Sequence, residues 1–278
     1  MREARNIVER LIRETAAAPL DVYGTSEGHL EQAYLETVGY PYYRTVRDLL
    51  AIFPNPNKLI RILEVGAYQG IVALALSKLG FTVEVFDAPD ILKSKKLRER
   101  YDAAGILYEE GDLADGKLAF GDGRFDCVII CEVIEHLNFN PIPILAEINR
   151  TLKRDGYIYV GMPNQMRLRH RVNALIGRSI HEPVEMLFRQ LCSPSFRVGL
   201  HWREYTMQET QKLLGYLGFA PRKSYYNAPE DGVLPRKFNT WVRWLPQLLA
   251  PSLKPFQVVV GQKEEDAQIS WPPKARTG

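Results

Sequence analysis

The stretch from Ile62 to Gly70 constrains the fold of this chain more than any other part of its sequence. It reads Ile-Leu-Glu-Val-Gly-Ala-Tyr-Gln-Gly, and the apolar segment 71–79 follows it. An apolar strand that turns through glycines into a helix brings backbone amides and the positive helix end towards a ligand. Such a turn is typical of a nucleotide-type cofactor site in a doubly wound α/β sheet. The glycines are four residues apart and Glu64 precedes them, which argues against a dinucleotide.

Strand and helix patterns alternate along the chain on both sides of this turn. Apolar runs predict strands at 59–65, 81–86, 106–109, 125–131, 157–162 and 256–260. Helical patterns lie at 71–79, 93–104, 143–152 and 206–217, and a further helix is expected to open at 132–137. This order predicts an α/β fold with a mostly parallel, doubly wound sheet and right-handed crossovers.

The alternation also suggests how the chain is divided. Helical periodicity dominates before the break Pro54–Asn57, and the regular pattern stops again at Pro163 and Asn164. We therefore expect an N-terminal helical cap at 1–58, a cofactor-binding core at 59–164, a substrate-cap insertion at 165–205, the rest of the core with a cap helix at 206–265, and a tail at 266–278.

Composition excludes several classes of protein. The net charge of +3 over 278 residues is too small to indicate a nucleic-acid partner. The three cysteines form no Cys-x-x-Cys pair, so a zinc site or a disulfide framework is not expected. The first residues are rich in Arg and Glu, unlike a signal peptide, and no apolar run reaches the length of a membrane span. These features predict a cytoplasmic protein.

Four stretches taken together resemble the class I S-adenosylmethionine-dependent methyltransferases. They are 63–70, 85–87 (Val-Phe-Asp), 125–137 (Phe-Asp-Cys-Val-Ile-Ile-Cys-Glu-Val-Ile-Glu-His-Leu) and 152–157. The resemblance spans about residues 60–220, and 203–206 also fits it. It implies a Rossmann-like sheet of seven strands, S-adenosylmethionine as cofactor and methyl transfer as the reaction. One departure is Tyr68, which stands where the family has a glycine and would narrow the room beside the methionine moiety.

The resemblance implies a set of cofactor-binding residues. Glu64 would face the cationic methionine end of the cofactor, Asp87 its ribose hydroxyls and Asp112 its adenine amino group. The sequence around Asp112 is equally consistent with a plain turn residue. Leu113 would pack on the adenine ring, and the carbonyl of Cys131 would meet the ligand's ammonium. The full set is Glu64, Gly66, Ala67, Gly70, Asp87, Ala88, Asp112, Leu113 and Cys131.

Glu132, Glu135 and His136 follow the central strand at spacings that place them on one face of a helix. In one interpretation His136, assisted by Glu135, is the catalytic general base. In a second, the three residues bind Mg²⁺, and His201 is a fourth ligand, as the resemblance to quinone-type and small-RNA 2′-O-methyltransferases suggests. In a third, the triplet only caps and orients the helix.

Two further segments have polar or apolar patterns that could meet a substrate. Arg167, Arg169, His170 and Arg171 could grip a phosphate or acidic sugar, or form a solvated face. The apolar stripe within 236–249 could contact a membrane surface or cover a lipidic substrate, or dock on the core or a dimer partner.

The expected reaction is O-methylation of a hydroxyl on a small-molecule, sugar or glycan acceptor. A quinone- or lipid-type enzyme and an RNA 2′-O-methyltransferase, each with a divalent metal, are the alternatives within the fold. A non-catalytic S-adenosylmethionine-binding module is the alternative from another class.

Overall fold

The computed structural model describes residues 2–18, 20, 28–192, 200–229 and 245–270, with the backbone alone at 28–38 and 189–192. The helices are α1 (Arg2–Ala17), α2 (Gly28–Ile52), α3 (Ile71–Lys78), α4 (Pro89–Leu92), α5 (Lys95–Ala104), α6 (Ile142–Thr151), α7 (Leu168–Leu175), α8 (Glu185–Cys192) and α9 (Met207–Tyr216). The strands are β1 (Arg61–Val65), β2 (Thr82–Asp87), β3 (Leu107–Glu110), β4 (Phe125–Cys131), β5 (Leu152–Pro163), β6 (Phe219–Asn227) and β7 (Phe256–Lys263).

The seven strands form one sheet in the order β3-β2-β1-β4-β5-β7-β6. β1 pairs in parallel with β2 and β4, and β4 pairs in parallel with β5. β7 runs antiparallel to both of its neighbours, β5 and β6. The expected seven-stranded, mostly parallel sheet is confirmed, and the order reverses beside β1, where ligands of such folds bind.

Both faces of the sheet are covered, as the continuous apolar character of β1 and β4 requires. One core packs α1, α2, α3 and α5 against the sheet. The other core holds apolar side chains of α6 and α9 against the opposite face. β1 and β4 are therefore buried on both sides.

β6 and the segment 132–137 differ from the sequence-based expectation. β6 had no predicted position, because its middle residues are exposed and interrupt the apolar run. Residues 132–137 do not open an α-helix: Ile134–His136 form one 3₁₀ turn, and Glu132 adopts a left-handed backbone with φ of 53°. The Glu132–Glu135–His136 set therefore does not lie along a helix face.

Parts of the caps are described. Insertion 165–205 contributes α7 and α8, and exposed apolar side chains lie in these helices and beside them: Val172, Leu175, Ile176, Val184, Leu187 and Phe188. Residues 245–249 are helical, with Leu245, Leu248 and Leu249 exposed. The rest of the predicted stripe in 236–249 lies outside the described residues. Among the helices of the described ranges, none combines the length and apolar character needed to cross a bilayer.

Candidate active site

The polar residues expected at the site lie at the carboxyl ends of β1 and β2 and directly after β4. Parallel strands direct their carboxyl ends to the same edge of a sheet, so Glu64, Asp87 and Glu132 meet there. β6 runs parallel to β5, because each is antiparallel to β7, and it brings Asn227 to the same edge.

The turn after β1 is held in a left-handed backbone conformation. Gly66 has φ of 72°, and a side-chain carbon built there would lie 2.4 Å from Cγ2 of Val133. Tyr68, at the position where the family has a glycine, has φ of 53°, so it takes the conformation that glycine adopts without strain. Its amide donates to Oδ2 of Asp87 at 2.8 Å. The departure at Tyr68 therefore changes the side chain, while the backbone takes a conformation that favours glycine.

Glu64 is a buried acid with an open hydrogen-bonding position. Its side chain is only 6% exposed, and within the described part of the chain Oε2 has no hydrogen-bond partner. Burial, reinforced by the nearby Asp87, raises the pKa of Glu64 to about 8. A cationic ligand would supply the missing partner, so the residue suits the ammonium end of an amino acid.

Asp87 closes the turn from the end of β2. Its Oδ1 accepts from the amide of Ala88 at 2.8 Å, and the amides of Tyr68 and Ala67 also donate to its carboxylate. Burial raises the pKa of Asp87 to about 6, and these amides oppose the shift. A carboxylate has about four acceptor positions, so these three amides leave about one for a ligand hydroxyl.

The other expected cofactor positions are less constrained. Asp112 is exposed, and its carboxylate accepts from the amide of Ala114, which makes it the cap of a 3₁₀ turn. Leu113 is half-buried in that turn. The Cys131 side chain lies 3.9 Å from the hydroxyl of Thr45, and burial raises the pKa of its thiol to about 12, so it stays protonated. Its contacts are those of a packed residue.

Glu135 is the most deeply buried acid of the site. It is fully buried, and neither carboxylate oxygen has a hydrogen-bond partner among the described residues. Burial and the charge of Glu132 raise its pKa well above the ordinary value. Glu132 also has one buried oxygen without a described partner, and burial raises its pKa to about 7. Buried carboxylate oxygens without a hydrogen-bond partner cost free energy unless a ligand or a proton supplies the missing interaction.

Two imidazoles face each other beside Glu135. Nδ1 of His136 donates to the carbonyl of Leu200 at 3.0 Å, and Nδ1 of His201 donates to Oε1 of Glu204 at 2.8 Å. A neutral imidazole that donates from Nδ1 carries its lone pair on Nε2. Their centroids are 4.8 Å apart in an edge-to-face arrangement. Burial, together with His201, lowers the pKa of His136 to about 4, so this ring is neutral at physiological pH.

Glu135, His136 and His201 converge into one potential ligand set. One donor atom from each lies within 4.8 Å of the others. Glu132 is outside this set, so the structure brings together three of the four residues predicted as metal ligands. One carboxylate and two imidazole nitrogens, all with free lone pairs, fit a divalent transition metal better than Mg²⁺, which prefers oxygen ligands.

Arg44 enters the same edge from α2, and sequence reasoning could not place it. It is fully buried, Nη1 donates to Oδ1 of Asn227 at 2.8 Å, and Nε and Nη2 have no partner in the described structure. A side-chain carbon built on Gly161 would lie 2.8 Å from Nη2, so this glycine makes room for the guanidinium. The available sequence signal was an arginine in a helical segment that also carries the apolar Val46 and Leu49.

The basic cluster of the insertion is dispersed. Arg167 pairs with Glu204, His170 donates to the carbonyl of Gln165, and Arg171 bonds the carbonyl of Met166 and the hydroxyl of Ser252. Arg169, the remaining member, is exposed. The described geometry does not form the phosphate grip that the sequence allowed.

The fold and this edge agree with the comparison to known protein families. The methyltransferase domain family matches residues 34–221, more than half of the chain. The chain belongs to the class I S-adenosylmethionine-dependent methyltransferases. Both parts of the edge, the turn after β1 and the Glu135–His136 turn, lie inside the matched range.

Individual relatives of this methyltransferase are distant. A ubiquinone biosynthesis O-methyltransferase of Dinoroseobacter shibae is 30% identical over 178 residues, which are 63% of this chain and 65% of the relative. The chain spans less than two thirds of the length of the first curated relatives it matches, 65% in this case and 50% in the next.

Solved structures share the fold at low sequence identity. The methyltransferase solved with the Trm112 activator of Haloferax volcanii has a TM-score of 0.56 at 16% identity, over 82% of this chain and 92% of that one. Phosphoethanolamine N-methyltransferase 2 of Haemonchus contortus, solved with S-adenosyl-L-methionine, has a TM-score of 0.52 at 15% identity, over 80% of this chain and 53% of that one.

Proposed function

We propose that this chain transfers the methyl group of S-adenosylmethionine to a hydroxyl oxygen of a small-molecule, sugar or glycan acceptor. The observation that carries the proposal is the convergence of Glu135, His136 and His201 at the sheet edge where Glu64 and Asp87 also lie. The name of the Dinoroseobacter relative supports an oxygen acceptor and adds phenolic hydroxyls to the candidates.

The polar groups of this edge match the two ends of the cofactor. The unpartnered oxygen of Glu64 suits the ammonium of the methionine end, and the unpartnered nitrogens of Arg44 suit its carboxylate. Asp87, with acceptor capacity left over, suits the ribose hydroxyls. Gly66, Ala67, Gly70 and Ala88 would contribute backbone, while Asp112, Leu113 and the Cys131 carbonyl remain proposed contacts at the adenine and ammonium.

The proposed reaction breaks the carbon–sulfur bond of the sulfonium and forms a carbon–oxygen bond, and the hydroxyl proton must leave. Because the sulfonium methyl is already activated, the protein has to align the acceptor, exclude water and remove that proton. Glu135, His136 and His201 would hold a divalent transition metal, whose chemistry there is to lower the pKa of a bound hydroxyl. Glu132, with a pKa near neutrality, is suited to accept the proton.

The cofactor and the reaction can be tested separately. Calorimetric titration of the full chain with S-adenosylmethionine should show saturable binding; the absence of binding at millimolar ligand would reject the enzyme and the binding module together. A mass-spectrometric screen of phenols, hydroxylated metabolites and glycans should then find a product heavier by one CH₂ unit. Cofactor binding with no product from any acceptor class would favour the non-catalytic alternative.

Treatment with a chelator distinguishes two interpretations of these residues: metal binding by Glu135, His136 and His201, and general-base catalysis by His136. We expect activity to fall after dialysis against a chelator and to return with Mn²⁺ or Zn²⁺ more fully than with Mg²⁺, because two of the three proposed ligands are imidazoles. Turnover that resists chelation would end the metal interpretation and leave the neutral Nε2 of His136 as the proton acceptor.

Replacement of Arg44 by methionine should weaken S-adenosylmethionine binding by roughly 10–100-fold, the loss of a charged hydrogen bond to a buried carboxylate. Decarboxylated S-adenosylmethionine lacks that carboxylate, so its affinity should be nearly equal in the variant and the parent. Calorimetry with both ligands makes the comparison, and thermal unfolding checks that the variant folds. An equal loss for both ligands would show that Arg44 supports the site without binding the carboxylate.

A further inference from the structure

Glu204 is the meeting point of three side chains behind the proposed ligand set. Nη1 and Nη2 of Arg167 donate to its two oxygens at 2.8 and 2.9 Å, in a bidentate pair. Nδ1 of His201 donates to Oε1 at 2.8 Å, and Nδ1 of His170 lies 3.5 Å from Oε2. The carboxylate is only 9% exposed. Burial alone would raise its pKa, but His201 and Arg167 keep the pKa of Glu204 below its ordinary value.

These contacts determine the tautomer and the ring orientation of His201. A carboxylate that accepts from Nδ1 keeps the proton on that nitrogen and leaves the lone pair on Nε2. The same contact fixes the ring orientation, which is edge-to-face with His136. Without Glu204, a neutral imidazole would be free to exchange tautomers and rotate.

The segment that carries Glu204 is also fixed to Glu135. The amides of Trp202 and Arg203 donate to the Glu135 carbonyl at 2.7 and 3.3 Å. Nε2 of Gln257 donates to the carbonyl of Tyr205 at 2.7 Å. The backbone around Glu204 is therefore held on the sheet edge, and the Glu204 carboxylate is the polar link between that edge and Arg167, the residue that precedes α7 in the insertion.

We infer that Glu204 is a positioning residue that holds His201 in the Nδ1–H tautomer facing Glu135 and His136, and that Arg167 fixes Glu204 in turn. The inference rests on the proposed function in one respect, because that function makes His201 a metal ligand. The contacts of Glu204 with His201 and Arg167 do not depend on the proposed function. Arg167, near one end of the 165–205 insertion, is thereby linked to His201 through its ion pair with Glu204, near the other end. Arg167 belongs to this link, in contrast to the phosphate-binding role that its sequence neighbourhood suggested.

The tautomer of His201 can be read directly by long-range ¹H–¹⁵N correlation of the imidazole rings. The chain has five histidines, and a His201→Gln variant assigns the signal. At a pH above the ordinary imidazole pKa, we expect the parent to show the Nδ1–H form. Glu204→Leu should change the tautomer ratio by about tenfold or more, the size of one hydrogen bond to a carboxylate. Glu204→Gln keeps an acceptor oxygen and should retain the parent tautomer.

A neighbouring ion pair supplies the control. Arg203 and Glu209 form an exposed pair at 3.2 Å on the same segment. Arg203→Met should leave the His201 signals unchanged, whereas Arg167→Met should broaden or shift them. Thermal unfolding and S-adenosylmethionine titration of each variant confirm a folded chain.

A His201 tautomer that is the same in the parent and in Glu204→Leu would overturn the positioning role. So would a parent protein with the Nε2–H tautomer. Either result leaves the proposed methyltransferase reaction intact, because cofactor binding is measured on the same samples. Failure of the parent to bind S-adenosylmethionine would remove the proposed function, and the role of Glu204 would still be decided by the His201 tautomer.

Discussion

Replacement of Glu135 by glutamine is expected to lower turnover by about 10²–10⁴-fold, the range for loss of a metal ligand or an essential acid–base group. The change keeps the size of the side chain and removes the ionisable group from the Glu135–His136–His201 set. S-adenosylmethionine affinity should stay within about threefold, because the proposed cofactor contacts come from other residues. Initial rates on an acceptor from the screen, with calorimetry on the same preparation, make the measurement.

Glu135→Gln should also raise the free energy of unfolding of the ligand-free protein. Glu135 is fully buried with both oxygens unpartnered in the described structure, so removing its ionisable group removes a desolvation penalty. A gain in stability with a loss of turnover is the pattern of a residue kept for chemistry. Glu185→Gln, an exposed acid at the start of α8, is the control that should change neither quantity. Parent-like turnover in Glu135→Gln would remove this residue from the mechanism.

The stability of the ligand-free protein should fall as pH rises from about 4.5 to about 8, and Glu64 should be a principal cause. Its pKa is 4.5 ordinarily and about 8 in the folded chain, so over this window the folded state retains a proton that the unfolded state releases. The stabilising difference is fully present below pH 4.5 and is lost by the time pH passes about 8. At about 1.4 kcal/mol per unit, the total is on the order of 4–5 kcal/mol.

Urea unfolding of the parent and of Glu64→Gln across this window measures the effect. Glutamine does not titrate, so the variant should gain stability over the parent steadily with pH and differ little at pH 4.5. Glu99→Gln, which alters an exposed acid on α5, should follow the parent curve. Parallel curves for the parent and Glu64→Gln would show that the buried carboxylate does not retain its proton.

The turn after β1 and the acids after β2 and β4 could be located from sequence because their signals are local. Each is an apolar strand followed directly by a polar or glycine residue, and the parallel order places such strand ends together. The helical periodicity of apolar residues was also enough to predict the helices α3, α5, α6 and α9. It failed for β6, whose half-exposed pattern at the sheet edge carries little apolar signal.

The geometry of the chain after β4 could not be predicted from such local sequence signals. The spacing of Glu132, Glu135 and His136 is the same on a helix and around a tight turn, and only the left-handed backbone at Glu132 separates them. That backbone depends on tertiary packing, since Val133 fills the space left by the missing side chain of Gly66. The result is a set of Glu135, His136 and His201, three of the four predicted ligands, without Glu132.

Residues close together in the chain encode the sheet, the glycine turn at its edge and the methyltransferase family, because strand periodicity and glycine turns are local patterns. The distant groups that meet at this edge became known from the folded chain: Arg44 with Asn227 across 183 positions, and Arg167 with Glu204 across 37. Such pairs have no local pattern, because a charge buried in the fold and a charge exposed to water look the same in sequence. Their partners are set by strand order and by the packing of α2 and the insertion on the sheet.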